Sequence, residues 1–470
     1  MWRHTRPVAA AGIKTLSAIL ALGMLSISAV GLANPLLPGG LTSVSTFEQN
    51  AYSQPAANMP LQRRLDFSVG QTFFRNPWVP APSSTDARDG LGPLFNANSC
   101  QSCHVKNGRG KAPLPNENLL GLIIRISVPP HKPMANHLGV QPEPTYGNQL
   151  HDRSIAGVPP EARLHINYVE VPITLADGSQ VSLRKPQLQV SDLAYGPLAE
   201  NTQFSLRLAP SMIGLGLLAA IDENALIQLE DPSDKNRDGI SGRRNRVWDK
   251  TLKRYTTGRF GWKAGQPSLA QQNALAFAED LGISNPLVTA SCPNSELANA
   301  CREAISGGEP ELAANLAHQV EFFTANLAVP KTRPIPVTVK DAGAALFTQL
   351  KCAACHVPRH ITGTVQNMPW LTGQTIYPYT DLLLHDMGEG LADNHSEFGA
   401  SGAEWRTPPL WGIGLAQAVN PAAGFLHDGR ARSLEEAILW HDGEAAASRA
   451  AYSQLNTQQR SQLLSFVEHL

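Results

Sequence analysis

The sequence predicts a mainly α-helical fold made of two helical domains with long loops and a few short strands. The first observation is a short cysteine motif that occurs twice, at residues 100–104 and 352–356. The second is a proline-rich stretch at residues 328–339, which separates the two motifs and marks a domain boundary at residue 330. The third is the high content of proline and glycine, 36 and 38 residues, which favours loops and short helices.

Both motifs have the spacing C-x-x-C-H, which is the attachment signature of c-type haem. Two thiols add to the two vinyl groups of one porphyrin, and the adjacent histidine reaches the iron. The alternative is zinc or dithiol chemistry, but a four-cysteine zinc site needs both pairs to converge and gives the histidines no role. We therefore predict two covalent haems with proximal ligands His104 and His356, attached through Cys100, Cys103, Cys352 and Cys355.

Helical apolar spacing occurs on both sides of the boundary. In the first half it covers residues 209–230, 268–281 and 311–327, while residues 119–128 and 164–190 carry strand-like runs and residues 34–90 look irregular. In the second half, Asp341 is the predicted cap of a helix that leads into the motif, and a final helix covers residues 456–470. A helix before the motif and another at the domain end match the helical cytochrome c pattern. We predict cytochrome c-like domains at residues 34–330 and 331–470.

Residues 1–33 are predicted to be a signal peptide. Basic residues precede an apolar run that ends at Leu32, and Gly31-Leu32-Ala33 offers small residues for cleavage after Ala33. No cysteine follows the run, so a lipoprotein anchor is not expected, and the next apolar stretch, residues 212–221, is too short to span a bilayer. We expect a periplasmic protein without a membrane anchor after processing.

Composition argues against nucleic-acid and membrane binding, and the two cysteines outside the motifs have a separate interpretation. The 470-residue chain has a net charge of −1 and 16% charged residues, so no bulk electrostatic preference for nucleic acid or anionic membrane is expected. Four of the six cysteines are assigned to haem. Cys292 and Cys301 remain, and in an oxidising compartment they predict a structural disulfide. A redox-active dithiol is the alternative, although the spacing is not C-x-x-C.

Six longer stretches carry a resemblance to a known family: GPLFN at 92–96, DPSD through DGISG at 231–242, GRFGWKA at 258–264, YPYTDLLLHDMG at 377–388, EWRTPPL at 404–410 and LHDGRA at 426–431. The chain beyond about residue 60 resembles the bacterial di-haem oxidoreductases once grouped as thiol oxidoreductases. These are relatives of the di-haem cytochrome c peroxidases and of the di-haem enzyme that matures methylamine dehydrogenase. The resemblance implies two cytochrome c-like domains, with one haem each and electron transfer between them.

The resemblance also implies a distal ligand for the second haem. Residues 434–441 are similar to the peroxidase segment that presents this ligand at its eighth position, as Met in the peroxidases and Tyr in the maturation enzyme. Here that position is His441. Composition alone makes Met387 attractive, and His385 and His427 are further candidates. We expect His356/His441 ligation, which lowers the potential relative to His/Met and departs from the peroxidase pattern.

For the first haem no distal ligand stands out among His131, His137, His151 and His165, which follow the motif. In the related peroxidases this haem is the peroxidatic one, with a glutamine and a glutamate over its distal face. The nearest matches here are Gln149 and Glu161. A carboxylate there would move a proton between the peroxide oxygens, whereas the alternative places Glu161 on a polar loop.

Two further sites are predicted. The spacing Asp234-x-Asn236-x-Asp238-Gly239 is typical of a calcium loop, with an Asx-rich turn as the alternative. The related peroxidases hold a calcium between their domains, which favours the ion. Trp262 is the predicted aromatic between the haems, with Trp405 and Trp411 as alternatives.

These features predict an exported di-haem c oxidoreductase. It would take electrons from a small donor protein, a cytochrome c or a cupredoxin, and reduce a small oxidant such as hydrogen peroxide at the N-terminal haem. The alternative is an electron-transfer protein with two six-coordinate haems and no substrate of its own, which relatives suggest as an accessory partner in iron uptake. The two possibilities differ in whether one iron keeps an open position.

Overall fold

The computed structural model describes residues 36–85, 87–115, 117–130 and 137–470, and the predicted signal peptide lies outside these ranges. Its α-helices in chain order are α1 (Arg64–Arg75), α2 (Cys100–Cys103), α3 (Leu215–Ala219), α4 (Glu223–Ile227), α5 (Leu269–Asp280), α6 (Asn299–Arg302), α7 (Ala314–Ala325), α8 (Val337–Gln349), α9 (Ala416–Val419), α10 (Leu434–Trp440), α11 (Ala446–Ser453) and α12 (Thr457–Glu468). Within the described ranges, no helix is both long enough and apolar enough to cross a bilayer.

The strands are short apart from one pair. They are β1 (Leu94–Phe95), β2 (Leu122–Ser127), β3 (Gln149–Leu150), β4 (Arg153–Ser154), β5 (Arg163–Thr174), β6 (Gln180–Ser191), β7 (Gln203–Leu208), β8 (Arg246–Asp249), β9 (Arg254–Thr257), β10 (His360–Ile361), β11 (Thr375–Ile376), β12 (Leu384–Asp386) and β13 (Glu404–Arg406). All strand pairs are antiparallel, and β3, β2 and β7 form a three-stranded sheet in that order.

Each half of the chain contains a pair of packed helices with a glycine at the contact. α1 packs on α7 in the first half, and α8 packs on α12 in the second. A Cβ on Gly70 of α1 would lie 2.0 Å from the Gln319 carbonyl oxygen, and one on Gly343 of α8 would lie 2.5 Å from that of Gln462. Only glycine allows the backbones to approach this closely. Both halves therefore frame their C-x-x-C-H motif with the same kind of helix crossing.

The prediction of a mainly α fold is wrong, because the structure is 29% helical and 19% strand. Much of the strand lies in the first half, where the sequence indicated only short runs around the Asp177-Gly178 turn. β5 and β6 instead pair continuously from Arg163↔Ser191 to Thr174↔Gln180. Pairing between side chains on neighbouring strands stabilises the ribbon, and this contribution is not visible in the sequence of either strand by itself. Strand content was therefore underestimated.

The β5–β6 ribbon links the two halves. Near its base Leu164 and Ile166 pack in the core that contains β2, whereas Leu175 and Leu183 near its tip pack in the core around the second motif. Residues 34–470 form one compact unit. The boundary at residue 330 stays a prediction.

Most predicted helices are close to the observed ones. α5 and α7 lie within the predicted ranges, and α12 begins after Asn456 with a capping box formed by Asn456 and Gln459. The single helix predicted over residues 209–230 is wrong. Gly214, at a φ of +68°, starts α3, and Asp222 caps α4 separately. The region that looked irregular contains α1, and α8 starts at Val337, before the predicted cap Asp341.

Candidate functional site

The first C-x-x-C-H motif lies at the wall of a large cavity. The Ser99 hydroxyl oxygen accepts a hydrogen bond from the Ser102 backbone N–H and caps α2, which holds Cys100 and Cys103 one turn apart. Both cysteines and His104 line a cavity of about 620 Å³. Cofactor sites occupy about 300–1,000 Å³. The cavity therefore has a suitable size and the donor set that a covalent haem requires.

The two motif histidines are held in the same way. His104 Nδ1 lies 2.8 Å from the Pro210 carbonyl oxygen, and His356 Nδ1 lies 3.0 Å from that of Tyr379. Since a carbonyl only accepts, each Nδ1 carries the proton and each Nε2 keeps a lone pair. Burial lowers the pKa of each histidine to about 4. Both imidazoles are therefore neutral and oriented, as iron ligands require.

The motif cysteines lack the features of a redox-active dithiol, which are a disulfide bond or a thiol of low pKa. All four are free of disulfide bonds. Burial raises the pKa of Cys100 and Cys103 to about 12 and that of Cys352 to about 11, so these thiols are protonated at neutral pH. Over the described residues there is no group of three or more His, Cys, Asp or Glu side chains placed to hold a metal ion. These observations do not favour the zinc and dithiol alternatives.

Polar side chains from both halves of the chain interrupt the largely apolar wall of the first cavity. Its polar lining includes Arg125, Asn148 and Arg207 from the first half and His395 and Glu397 from the second. The Asn148 side-chain oxygen is buried without a hydrogen-bond partner within the described part of the chain. A buried, unpaired acceptor is costly, so this atom indicates a place for a bound group.

The two residues predicted to act on peroxide lie outside this wall. The Gln149 amide donates to Asn96 Oδ1 at 2.7 Å and to Asp280 Oδ1 at 2.9 Å. Glu161 accepts from both the backbone N–H and Nδ1 of His151. Asn148, in the turn before β3, lines the cavity, whereas Gln149, the first residue of β3, does not. The structure therefore does not bring Gln149 and Glu161 to the predicted site.

The His151–Glu161 pair predicts a pH-dependent stability. Burial opposes the charge of His151, but the Glu161 carboxylate at 2.8 Å and the Glu279 carbonyl oxygen raise the pKa of His151 to about 9. A raised folded pKa stabilises the fold fully below the unfolded pKa of about 6.5, and this contribution is lost as pH rises through 9. We expect a loss of up to about 3 kcal/mol across this window. Thermal unfolding from pH 6 to 9.5 measures it, and the variant His151→Gln should lack this part of the decline. Equal declines in both proteins would contradict the assignment.

The other candidate histidines of the first half are dispersed. His137 is exposed at the cavity and stacks on Trp248, with ring centroids 3.7 Å apart. His165 lies on β5, away from the cavity lining. His131 lies outside the described residues.

In the second half, His441 lies at the end of α10. It caps the C-terminus of α10, and its Nδ1 donates to the Ala437 carbonyl oxygen at 2.7 Å, which leaves Nε2 with its lone pair. Burial lowers the pKa of His441. The charge of a protonated His441 would further lower the pKa of His356, so the two rings lie within electrostatic reach of each other. The His356/His441 ligation stays a prediction.

The competing ligands are engaged elsewhere. His385 binds Asp381 through Nε2 at 2.8 Å and Glu444 through Nδ1 at 2.6 Å. Burial opposes its charge, but hydrogen bonds to Asp381, Cys355 and Glu444 raise the pKa of His385 to about 12, so neither nitrogen has a lone pair for iron. His427 stacks flat on Trp405 with ring centroids 3.6 Å apart, and Met387 packs against the cluster that contains Trp405.

Aromatic rings connect the two sites. Trp262 lines the first cavity, donates from Nε1 to the Leu208 carbonyl oxygen at 2.8 Å, and lies 6.5 Å from His427 between ring centroids. Trp262 and Trp405 belong to one buried cluster, against which Trp440 packs. Trp440 directly precedes His441. We call these four rings, Trp262, Trp405, His427 and Trp440, the aromatic cluster. Trp411 packs in a different core.

The predicted calcium loop closes on itself. Asp234 Oδ1 and Oδ2 accept backbone N–H groups of Asp238 and Gly239, at 2.9 and 3.2 Å. Asn236 and Asp238 are hydrogen-bonded to each other. These contacts are those of Asx turns. Elsewhere, the structure joins Cys292 and Cys301 in a disulfide.

The chain matches a protein family described as "Di-haem oxidoreductase, putative peroxidase" over residues 37–470. The chain belongs to this family. The predicted resemblance is therefore confirmed, and the protein is a di-haem oxidoreductase of the peroxidase-related kind. A search of curated proteins found no match. A solved chain of hydrazine synthase from Kuenenia stuttgartiensis, pressurised with xenon, shares 12% identity with a TM-score of 0.32, covering 99% of this chain and 100% of its own.

Two residues of the di-haem oxidoreductase site were missed by sequence reasoning. Asn148 lies within the stretch compared with the peroxidases, one position before the residue chosen. Asn148 lies in the turn before β3, and no local pattern distinguishes it from Gln149. His395 lies far along the chain from the first motif, and no local pattern marks it. The fold alone brings it to the first cavity.

Proposed function

We propose that this di-haem oxidoreductase is an exported protein with two covalent c-type haems that reduces hydrogen peroxide at the first haem. The observation that carries the proposal is the difference between the two sites. His104 lines a large cavity whose wall includes several polar side chains, whereas His356 has a second oriented histidine, His441, within electrostatic reach. An open position allows a small oxidant to bind, and a filled one favours electron transfer.

The cysteines and histidines of each motif are the groups that would hold each haem. When bound, the haems store single electrons, and an iron with an open position binds peroxide. The protein contributes orientation and a dry environment: carbonyl groups fix the tautomers of His104 and His356, and burial keeps both neutral. The polar side chains of the wall, Arg125, Arg207 and Asn148, can hold a small polar oxidant in place.

The aromatic cluster supports transfer between the haems. It extends from Trp262 in the first cavity to Trp440, the residue before the second haem's distal ligand. Arg109, Lys263 and Arg430 lie over its rings, with the Lys263 ammonium 4.0 Å from the centroid of Trp405. Packed rings provide a continuous path through the protein interior. We propose that electrons from a small donor protein, a cytochrome c or a cupredoxin, enter at the second haem and follow this path.

Haem content and peroxide consumption test the proposal together. Denaturing gels with haem stain and pyridine haemochrome quantitation should give two covalent haems per chain. The protein reduced by a small cytochrome c should be reoxidised by hydrogen peroxide, with one peroxide consumed per two electrons. One haem per chain, or two haems that stay reduced in peroxide, would contradict the proposal. The second result would instead support the electron-carrier alternative.

We also propose that calcium binds the loop of residues 234–239, where it would draw the oxygens of Asp234, Asn236 and Asp238 away from backbone N–H groups. A ligand that binds only the folded state adds about 2.7 kcal/mol of stability when its free concentration is 100 times its dissociation constant. We expect calcium to raise the unfolding temperature of chelator-treated protein. The variant Asp238→Asn should weaken this effect by removing a charged ligand. Identical unfolding temperatures with calcium and with chelator would show that this loop does not bind calcium.

A further inference from the structure

We propose that His395, contributed by the second half of the chain, is the acid–base residue of the first haem site and moves a proton between the two oxygens of bound peroxide. The proposal rests on the proposed function and deepens it, because it assigns the proton transfer to a residue. Gln149 and Glu161, which the family resemblance suggested for this role, do not line the cavity.

The hydrogen bonds of His395 fix its orientation. The side chain is buried, with 2% of its surface exposed, and it lines the same cavity as His104. Its Nδ1 lies 2.8 Å from Ser127 Oγ. Gln203 Oε1 lies 3.4 Å from the same hydroxyl and can take its proton, in which case Ser127 Oγ accepts from Nδ1–H of His395. Nε2 then keeps a lone pair, and within the described part of the chain no protein group occupies it.

The surrounding charges keep this imidazole neutral. Burial and the cations Arg207, Lys263 and Arg125 together hold the pKa of His395 well below its usual range. Asp393 and Glu397, on the same segment as His395, lie 3.2 Å from Lys263 and 3.4 Å from Arg207 and balance part of that charge. A neutral histidine can accept a proton, and the nearby cations favour an oxidant that is becoming an anion.

The other titratable groups of the cavity are less suited. Glu279 lies 3.6 Å from Arg125, Glu397 is paired with Arg207, and Asp280 accepts a hydrogen bond from the Gln149 amide at 2.9 Å. His137 is exposed and stacks on Trp248. His395 combines burial, a fixed ring orientation and an unpaired nitrogen, which an acid–base residue needs.

The proton balance is complete. Nε2 takes the proton from the peroxide oxygen that is bound, and it returns this proton to the other oxygen as the O–O bond breaks. That oxygen leaves as water. The remaining oxygen becomes a second water with two protons from solvent and two electrons from the donor protein, so that hydrogen peroxide, two electrons and two protons give two waters.

Cyanide binding to the full-length, haem-loaded protein tests the proposal without turnover. Hydrogen cyanide must lose its proton to bind iron, so a nearby base accelerates association. For His395→Gln we expect an unchanged resting spectrum and a cyanide association rate at pH 7 lower by about 100-fold or more, since general acid–base groups contribute 10²–10⁴-fold. Reaction with peroxide should slow similarly. Ser127→Ala should slow both reactions less, because it only frees the ring to turn. His318→Gln, an exposed substitution on α7, is the matched control.

Three results would overturn the assignment. Wild-type cyanide rates in both His395→Gln and Ser127→Ala would show that neither residue assists proton transfer. Conversion of the first haem from low spin to high spin in His395→Gln would make His395 an iron ligand instead. If neither haem of the wild-type protein binds cyanide, the first haem has no open position. Both the proposed function and the role of His395 would then be wrong. If the wild-type protein binds cyanide and both variants bind it at the wild-type rate, the role of His395 is wrong but the proposed function still stands.

Discussion

Replacing His441 with alanine should open the second haem to external ligands and raise its reduction potential. His441 is half-buried, its pKa is lowered, and its Nδ1 donates to the Ala437 carbonyl oxygen, so its Nε2 is the available donor for the second haem. Axial ligands set haem potentials over a range of about 0.8 V, and loss of one imidazole should raise the potential by on the order of 100 mV. Spectroelectrochemistry of His441→Ala measures the shift, and cyanide or imidazole should now bind at both haems.

Two further variants make this prediction specific. His441→Met should give the thioether-to-iron charge-transfer band in the red, because methionine would replace imidazole at the same position. Met387→Ala is the matched control, because Met387 is the competing ligand candidate and packs against the cluster that contains Trp405. We expect it to leave the ligation unchanged. Conversion of one haem to high spin by Met387→Ala, with unchanged spectra for His441→Ala, would show His/Met ligation instead.

A methyl group at the second helix crossing should strongly destabilise the second half. The Cβ of Gly343→Ala would lie 2.4 Å from the Phe466 Cβ and 2.5 Å from the Gln462 carbonyl oxygen. Neither atom can move without shifting α12, so we expect a cost near the upper end of overpacking, about 3 kcal/mol. Thermal unfolding and haem retention by the second motif measure it.

Gly363→Ala is the control for this substitution. Its Cβ would meet only the Ala220 carbonyl oxygen, at 3.4 Å, which is ordinary contact. We expect an unfolding temperature within a degree or two of the wild type. Equal unfolding temperatures for Gly343→Ala and Gly363→Ala would mean that the α8–α12 crossing is looser than the structure indicates.

Local sequence signals predicted the parts of the site that depend on local chemistry. The C-x-x-C-H runs identified His104 and His356, and the segment before His441 is a helix, α10, that holds this residue. Both α5 and α12 begin after a residue whose side chain caps them, which is a signal within a few positions. The sequence also indicated Trp262, which lines the first cavity.

The remaining parts depend on long-range contacts. The ribbon of β5 and β6 is stabilised by pairing and by docking of Leu175 and Leu183 on the second core, neither of which is visible in strand periodicity. His395 reaches the first cavity through the packing of the two halves, and Ser127 orients it from a strand of the first half. Gln149 and Glu161 were chosen by similarity of spacing, but β3 turns Gln149 into hydrogen bonds with Asn96 and Asp280.

The central claim is that the first haem site is open and the second is closed. Cyanide titration of the oxidised, full-length protein, followed by absorption and electron paramagnetic resonance, tests it most directly. We predict that cyanide binds one haem per chain, that this is the haem attached at Cys100 and Cys103, and that the second haem keeps its bis-histidine low-spin signal. If cyanide changes neither haem, or if it binds both haems, the difference between an open first site and a closed second site is contradicted.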